Sequence, residues 1–208
     1  MNKLFTAALA ASLAVASTVS FADSSTGDFF VNANLGQSQY RASAYNGFGT
    51  TGSSNDRSDT AGAVRLGYRW HSVVDYGVEV GYVDLGNAML KSYFPGAQSN
   101  EKLSSRGYLL GGNLNYNITD SWYVSGRAGW YRSQLNDRVT TFAATGNSRD
   151  SFHSTGTGEY VGVGVGYNIS RAFSVGLNFD DYHSRAKYND EGSLTTGMYS
   201  VSAEYRFW

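Results

Sequence analysis

Nine residues near the end of the chain, Tyr199-Ser200-Val201-Ser202-Ala203-Glu204-Tyr205-Arg206-Phe207, alternate between apolar and polar side chains. Successive side chains of an extended segment point to opposite faces, so Tyr, Val, Ala, Tyr and Phe share one side and Ser, Ser, Glu and Arg the other. The pattern recurs upstream and predicts eight strands at roughly 28–39, 61–70, 76–85, 106–116, 122–132, 158–167, 173–182 and 197–207. No stretch beyond the N-terminal segment approaches the roughly 20 apolar residues that a spanning helix requires. A chain that crosses lipid must pair all its backbone polar groups internally, which leaves only helices and closed barrels. The expected fold is therefore all-β: an eight-stranded antiparallel up-and-down transmembrane β-barrel.

The N-terminal segment reads as an export leader. Lys3 precedes an apolar run from Leu4 to Val19, and the small residues Ser20 and Ala22 frame a cleavage site. This divides the chain into a signal peptide, residues 1–22, and a barrel, residues 23–208. Composition agrees, with Gly 25, Tyr 16, Phe 11 and a single Pro, while the mean hydropathy stays negative. A barrel whose strands alternate lipid-facing with lumen-facing residues has this profile. The absence of cysteine excludes disulfides and thiolate metal sites. A net charge of −1 gives no basic stripe for nucleic acid.

Three connections are short: His71 to Asp75, Asn117 to Ser121 and Asn168 to Ala172, all built from turn-forming Asn, Asp and Ser. The other four, near 40–60, 86–105, 133–157 and 183–196, are long and rich in Gly, Ser, Thr and Asn. Short turns on one side and long loops on the other give the outer-membrane arrangement, short turns toward the periplasm. Aromatic residues at outward positions follow this scheme. Phe29, Trp70, Tyr76, Tyr116, Trp122, Tyr167, Phe173 and Phe207 cluster at the short turns and chain ends as an inner girdle. Tyr82, Tyr108, Trp130, Phe179 and Tyr199 form an outer girdle. Eight residue steps separate Tyr108 from Tyr116, and Trp122 from Trp130, or about 27 Å along the strand. Tilted as barrel strands are, this covers about 19–22 Å of the membrane normal, close to the roughly 25 Å apolar band of such barrels.

Inward positions are small or polar, with Asn32, Asn34, Gly67, Gly81, Gly111, Asn113, Asn115, Gly162, Gly164, Gly166, Asn178 and Glu204 among them. An eight-stranded interior is only wide enough to be filled by side chains. Glu79 is expected diagonally across a hairpin from Arg65 and Arg69, with Arg127 projecting into the same lumen as part of one buried ion-pair network. Two roles fit it, interior filling or a narrow gated ion path. The many glycines point toward some water-filled space.

Several segments carry a family likeness. Asn34-Leu35-Gly36-Gln37-Ser38-Gln39-Tyr40, Gly77-Val78-Glu79-Val80-Gly81-Tyr82 followed by Leu85-Gly86, Leu114-Asn115-Tyr116-Asn117-Ile118-Thr119-Asp120, and Gly197 to Ser202 with Tyr205-Arg206-Phe207 resemble, in order, the first strand, the third strand, the second turn and the last strand of the OmpA-family transmembrane barrel. The likeness runs from about Gly27 to the end. It implies an outer-membrane location, a charged lumen cluster matched here by Glu79 and Arg127, and a terminal strand read by the barrel-assembly machinery. Asn113, Gly166, Gly176 and Asn178 stand where the family carries charge. Larger members add a periplasmic peptidoglycan-binding domain that this chain does not show, so cell-wall tethering is not expected. Trp208 extends one residue past the aromatic that normally ends the strand.

Catalysis would need a nucleophile beside a base. His183-Ser184, with Asp190 and Glu191 nearby, is the one local candidate, and adjacent residues of an extended segment point apart. The chain is not expected to be an enzyme, and a lipid A-modifying activity ranks behind the other readings. His71 and His153 suggest no metal cage, and no cofactor is expected. The Gly162 to Gly166 run lacks the Lys-Ser/Thr and the helix of a phosphate loop. Tyr93-Phe94-Pro95 is the apolar cluster in the long connections and the expected contact point for host surface, phage or lipopolysaccharide. The reading that results is a monomeric outer-membrane barrel, standing in lipid and lipopolysaccharide, that supports envelope integrity and surface adhesion through four long loops. A small low-conductance channel is the alternative.

Overall fold

The computed structural model describes residues 27–41, 52–94, 97–143, 146–186 and 193–207. The expected leader, residues 1–22, lies outside them, as do Pro95, Asp190, Glu191 and Trp208. Nine strands follow in chain order: β1 (Gly27–Tyr40), β2 (Gly52–Asp56), β3 (Ser58–Trp70), β4 (Asp75–Phe94), β5 (Ala97–Asn117), β6 (Trp122–Ala143), β7 (Gly146–Asn168), β8 (Phe173–Ala186) and β9 (Ser193–Phe207). Eight of them close a ring in the order β4-β3-β1-β9-β8-β7-β6-β5, and β5 pairs back with β4. Every neighbouring pair is antiparallel. The first and last strands seal the wall, with Phe29 opposite Phe207 and Tyr40 opposite Thr196. The chain is thus a closed eight-stranded antiparallel barrel, which leaves no edge to satisfy inside lipid.

The short turns stand where the sequence puts them, at 71–74, 118–121 and 169–172. Each is tied by local bonds: Asp75 Oδ1 accepts from Ser72 N at 3.0 Å, Thr119 Oγ1 from Trp122 N at 3.0 Å, and Ser170 Oγ from Phe173 N at 3.0 Å. The opposite end differs from the expectation of four long loops. Most of 86–105 and 133–157 is strand: β4 and β5 pair up to Phe94 and Ala97, and β6 and β7 up to Ala143 and Gly146. Part of 40–60 is strand as well, with β2 lying against Met89 to Tyr93 of β4. These segments leave the lipid, so neither face has to be apolar. The alternation that marks a membrane strand fades while the backbone pairing continues. The result is a tall sheet, β2-β4-β5-β6-β7, rising as a crown from one side of the barrel.

Between the girdles the exterior is apolar. Leu35, Leu66, Val78, Val80, Leu110, Leu114, Val161, Val163, Val165, Leu177 and Val201 are all exposed. An apolar belt of this extent on a soluble monomer would be an aggregation site; around a barrel it is the lipid-facing band.

The buried core sits inside the barrel, toward the crown. Tyr40, Tyr131, Tyr160, Tyr182, Met198, Leu85, Val83 and Leu109 form one cluster there. The small and polar inward positions expected from the sequence, Asn32, Asn34, Asn113, Asn178 and Glu204 among them, are buried in this interior, and large side chains that the sequence reading did not place share it. The glycines make room for large side chains. A Cβ on Gly166 would fall on the Tyr123 ring, one on Gly111 or Gly129 on Tyr160, and one on Gly67 on Phe30.

Candidate functional site

Two parts of the molecule can carry function, the filled lumen and the crown above it. In the lumen, inward parity on five strands brings the charges together in two layers. The lower layer centres on Arg69 of β3 and Glu204 of β9. Arg69 Nη1 and Nη2 donate to Glu204 Oε1 and Oε2 at 2.8 and 3.1 Å, a bidentate pair. Arg69 Nε donates to Asn113 Oδ1 at 2.9 Å, and its guanidinium carbon lies 4.5 Å from the centre of the Phe30 ring. Asn32 adds a bond to Glu204 Oε2 at 3.3 Å, and Arg206 stands 3.9 Å from Glu204 Oε1.

The upper layer holds two cations and two anions. Arg65, 1% exposed, has Nε 3.6 Å from Glu79 Oε1 and Nη2 3.4 Å from Asp180 Oδ2. Arg127 Nε reaches the other oxygen of Asp180 at 3.4 Å. Tyrosine hydroxyls cap the layer: Tyr160 donates to Glu79 Oε1 at 2.8 Å, and Arg65 Nη2 donates to Tyr182 at 2.8 Å. Above it the Tyr160 and Tyr182 rings stack at 6.0 Å, and Tyr131 meets Tyr182 edge-on at 5.4 Å. Tyr40 bonds the Leu85 and Gly86 carbonyls at 3.2 and 3.0 Å, closing the mouth on the β1 side.

The four residues expected in one network therefore divide. Arg65, Glu79 and Arg127 share the upper layer, with Arg127 joined to Glu79 only through Asp180 and Arg65. Arg69 forms its ion pair with Glu204, not with Glu79. Sequence reasoning missed Asp180 and left Glu204 outside the network. The signal was charge balance: three inward arginines facing one carboxylate cannot stay buried, so two more acids had to share the inward parity. Asp180 follows outward Phe179, and Glu204 precedes outward Tyr205.

On the exterior the aromatics stand as two rings. Trp70 stacks on Tyr76 at 5.6 Å, Trp122 meets Tyr167 at 5.2 Å, and Phe29 meets Tyr68 at 4.8 Å on the turn side, where Tyr116, Phe173 and Phe207 also face outward. Tyr68 and Tyr205 join this side, and Tyr205 packs against Phe207 at 4.9 Å. Toward the crown Tyr82 meets Tyr108 at 5.5 Å and Phe179 meets Tyr199 at 4.8 Å, while Trp130 is 72% exposed.

The expected loop contact does not form one patch. Tyr93 and Phe94 are adjacent on β4 and face opposite sides of the crown sheet, with Tyr93 opposite Gln98 and Phe94 opposite Ala97. His183 and Ser184 separate in the same way. His183 Nδ1 bonds Thr195 Oγ1 at 2.9 Å on the outside, while Ser184 is buried inside against the Ser133 hydroxyl. His71 lies at the turn side between Asp28 and Asp75, at 3.0 and 3.5 Å. Among the described residues no cluster of His, Cys, Asp and Glu is arranged to hold a metal ion.

Residues 6–207 match the family model described as outer membrane protein beta-barrel domain. No curated protein matches the chain by sequence. Among solved structures the fold is similar to Ail, the attachment invasion locus protein of Yersinia pestis. The two are 13% identical over 88% of this chain and 99% of that one, with a TM-score of 0.50. It is also similar to the outer membrane protease OmpT from Escherichia coli, 12% identical over 92% of this chain and 99% of that one, TM-score 0.50. The outer membrane protein OprG from Pseudomonas aeruginosa is 15% identical over 88% and 96% of the two chains, TM-score 0.46. At these identities the likeness is one of fold.

Proposed function

Because this chain belongs to the outer membrane protein beta-barrel domain family, we propose that it is a plugged outer-membrane scaffold that displays its crown to the outside, bracing the envelope and contacting surfaces beyond the cell. The observation that carries this reading is the crown. From Tyr82 of the outer girdle, β4 continues twelve residue steps to Phe94, about 41 Å along the strand. With the tilt of barrel strands it rises roughly 29–33 Å above the girdle. A paired sheet of that height holds its outer face at a fixed distance from the lipid, which a mobile loop does not. A barrel of the same fold in Yersinia pestis is named for attachment and invasion, so the architecture accommodates such a role.

A narrow ion path is the second reading. The polar groups from Glu204 to Asp180 favour it; the tyrosine layer above Arg65 speaks against it. We read the barrel as non-enzymatic, since the wall separates His183 from Ser184.

Trimming the crown tests the proposal. Met89 is paired with Lys102, so replacing residues 90–101 by Asn-Gly closes a two-residue hairpin at that point. The trimmed protein is expected to keep heat-modifiable gel migration while cells bearing it lose adhesion to host-cell layers. Unchanged adhesion would remove the surface role, and discrete conductance steps from the intact protein in planar bilayers would favour the channel.

A further inference from the structure

Four cationic side chains occupy the outward face of the crown wall: Arg106 on β5 and Arg132 on β6 immediately above the outer girdle, and Lys102 on β5 and Lys91 on β4 farther from it. Arg106 lies two residues beyond Tyr108 on the same face, and Arg132 two residues beyond Trp130. Arg106 is directly opposite Gln134, which makes Arg132 its diagonal neighbour, a separation of about 7–8 Å. Lys91 and Lys102 stand in the same diagonal relation higher up, because Lys91 is opposite Asn100. Arg106, Arg132 and Lys102 are exposed.

Acidic neighbours exist and are not engaged with them. Asp84 is opposite Arg106 and accepts from Gly86 N at 2.9 Å. Glu159 is opposite Trp130, diagonal to Arg132. Among the described residues neither arginine has a carboxylate within ion-pair distance. The other side of the barrel differs at the same level, where Arg41 is paired with Asp181 at 3.6 Å. Arg185 on β8 is likewise exposed without an ion pair among the described residues, so what sets the β4 to β6 sector apart is the diagonal spacing of its cations.

We propose that Arg106 and Arg132 form a binding site for the phosphate of an outer-leaflet lipid headgroup. The vertical order of side chains matches such a lipid. Leu110 and Val80 face the acyl chains, Tyr82, Tyr108 and Trp130 face the interfacial region, and the two guanidinium groups stand at the next level. Arginine presents a planar fork of donors that meets phosphate oxygens two at a time. Two such forks at diagonal spacing converge on one phosphate from neighbouring strands. Lys102 and Lys91 continue the positive field upward and draw the anionic headgroup to this sector.

The proposal rests on the membrane orientation given above and not on adhesion. Trimming residues 90–101 leaves Arg106 and Arg132 in place, so each test can fail alone. The protein is refolded into phosphatidylcholine nanodiscs containing bisphosphorylated lipid A or the same lipid without its phosphates, and retained lipid is counted by native mass spectrometry. Wild type is expected to retain the phosphorylated form about tenfold better, since each basic residue at a membrane surface contributes about a few-fold. Arg106→Gln with Arg132→Gln abolishes the preference, whereas Arg171→Gln in a short turn leaves it unchanged. Equal retention of both lipids by wild type would overturn the site without reference to any variant. So would capture of a soluble sulfated polysaccharide through the two arginines with no lipid preference.

Discussion

Glu204 is 5% exposed and holds both oxygens against Arg69. Two charges removed from water in this way lose hydration that their attraction barely offsets, so the pair's worth appears when it is broken. Arg69→Met should lower stability by about 3–5 kcal/mol, read from the urea midpoint in lipid vesicles. Arg69→Met combined with Glu204→Met should recover part of that loss, because the apolar pair strands no buried carboxylate and leaves only Arg206, which keeps its bond to Asn168 Oδ1 at 2.8 Å. If the double variant is no better than the single one, the network's role is not electrostatic. Space is the other residue-level constraint. Gly166 faces the Tyr123 ring with no room for a Cβ, so Gly166→Val should cost about 1–3 kcal/mol by overpacking, reducing the heat-modifiable fraction after refolding.

At the level of elements, the decisive local feature is an irregularity in β4. Its register with β5 slips between Asp84 and Asn87, so one extra residue is accommodated on β4. Below the slip, odd-numbered residues such as Val83 and Leu85 face the lumen; above it Ala88 and Ser92 do. The bulge thereby turns Lys91 and Tyr93 to the outside. Gly86 makes it possible, with φ at +72°, a left-handed conformation that other L-residues avoid at a cost of about 1–2 kcal/mol. Asp59 fastens it, accepting from Asn87 N at 2.8 Å and from Asn87 Nδ2 at 3.1 Å. Gly86→Val also drives a Cβ toward the Thr60 carbonyl. Hydrogen exchange should show lost protection in β4 and β5 beyond residue 86, with the lower barrel unchanged. Uniform loss along both strands would mean that the crown and barrel unfold as one unit.

For the whole molecule, the two charge layers and the tyrosine layer act in series to close the cylinder. An eight-stranded barrel has little bore to begin with, and Tyr131, Tyr160 and Tyr182 occupy what remains near the crown. The intact protein should give no resolvable conductance steps in planar bilayers. The combined Tyr131→Ala, Tyr160→Ala and Tyr182→Ala variant should give steps, since it removes three of the four tyrosine rings of the buried cluster near the crown. If the variant is as silent as wild type, the lower Arg69 layer with Phe30 is itself a sufficient seal.

The barrel's strand count, the places of the short turns and the placement of aromatics were legible in the chain because they answer to the solvent. A lipid-facing position must be apolar, its neighbour need not be, and the interface favours Trp and Tyr, so Trp70, Tyr116 and Trp130 announce their places one residue at a time. The pairing of Arg69 with Glu204, rather than with nearby Glu79, could not be read in that way. It depends on the closure of β9 onto β1, which joins residues from opposite ends of the chain. The tyrosine plug was hidden for a related reason: inward Tyr131 and outward Tyr108 look alike until the parity of each strand is fixed. The crown was hidden because water on both faces erases the alternation that signals a strand, leaving only backbone pairing to hold it. Local solvent preference determined the barrel, and long-range strand registration decided what fills it and what stands above it.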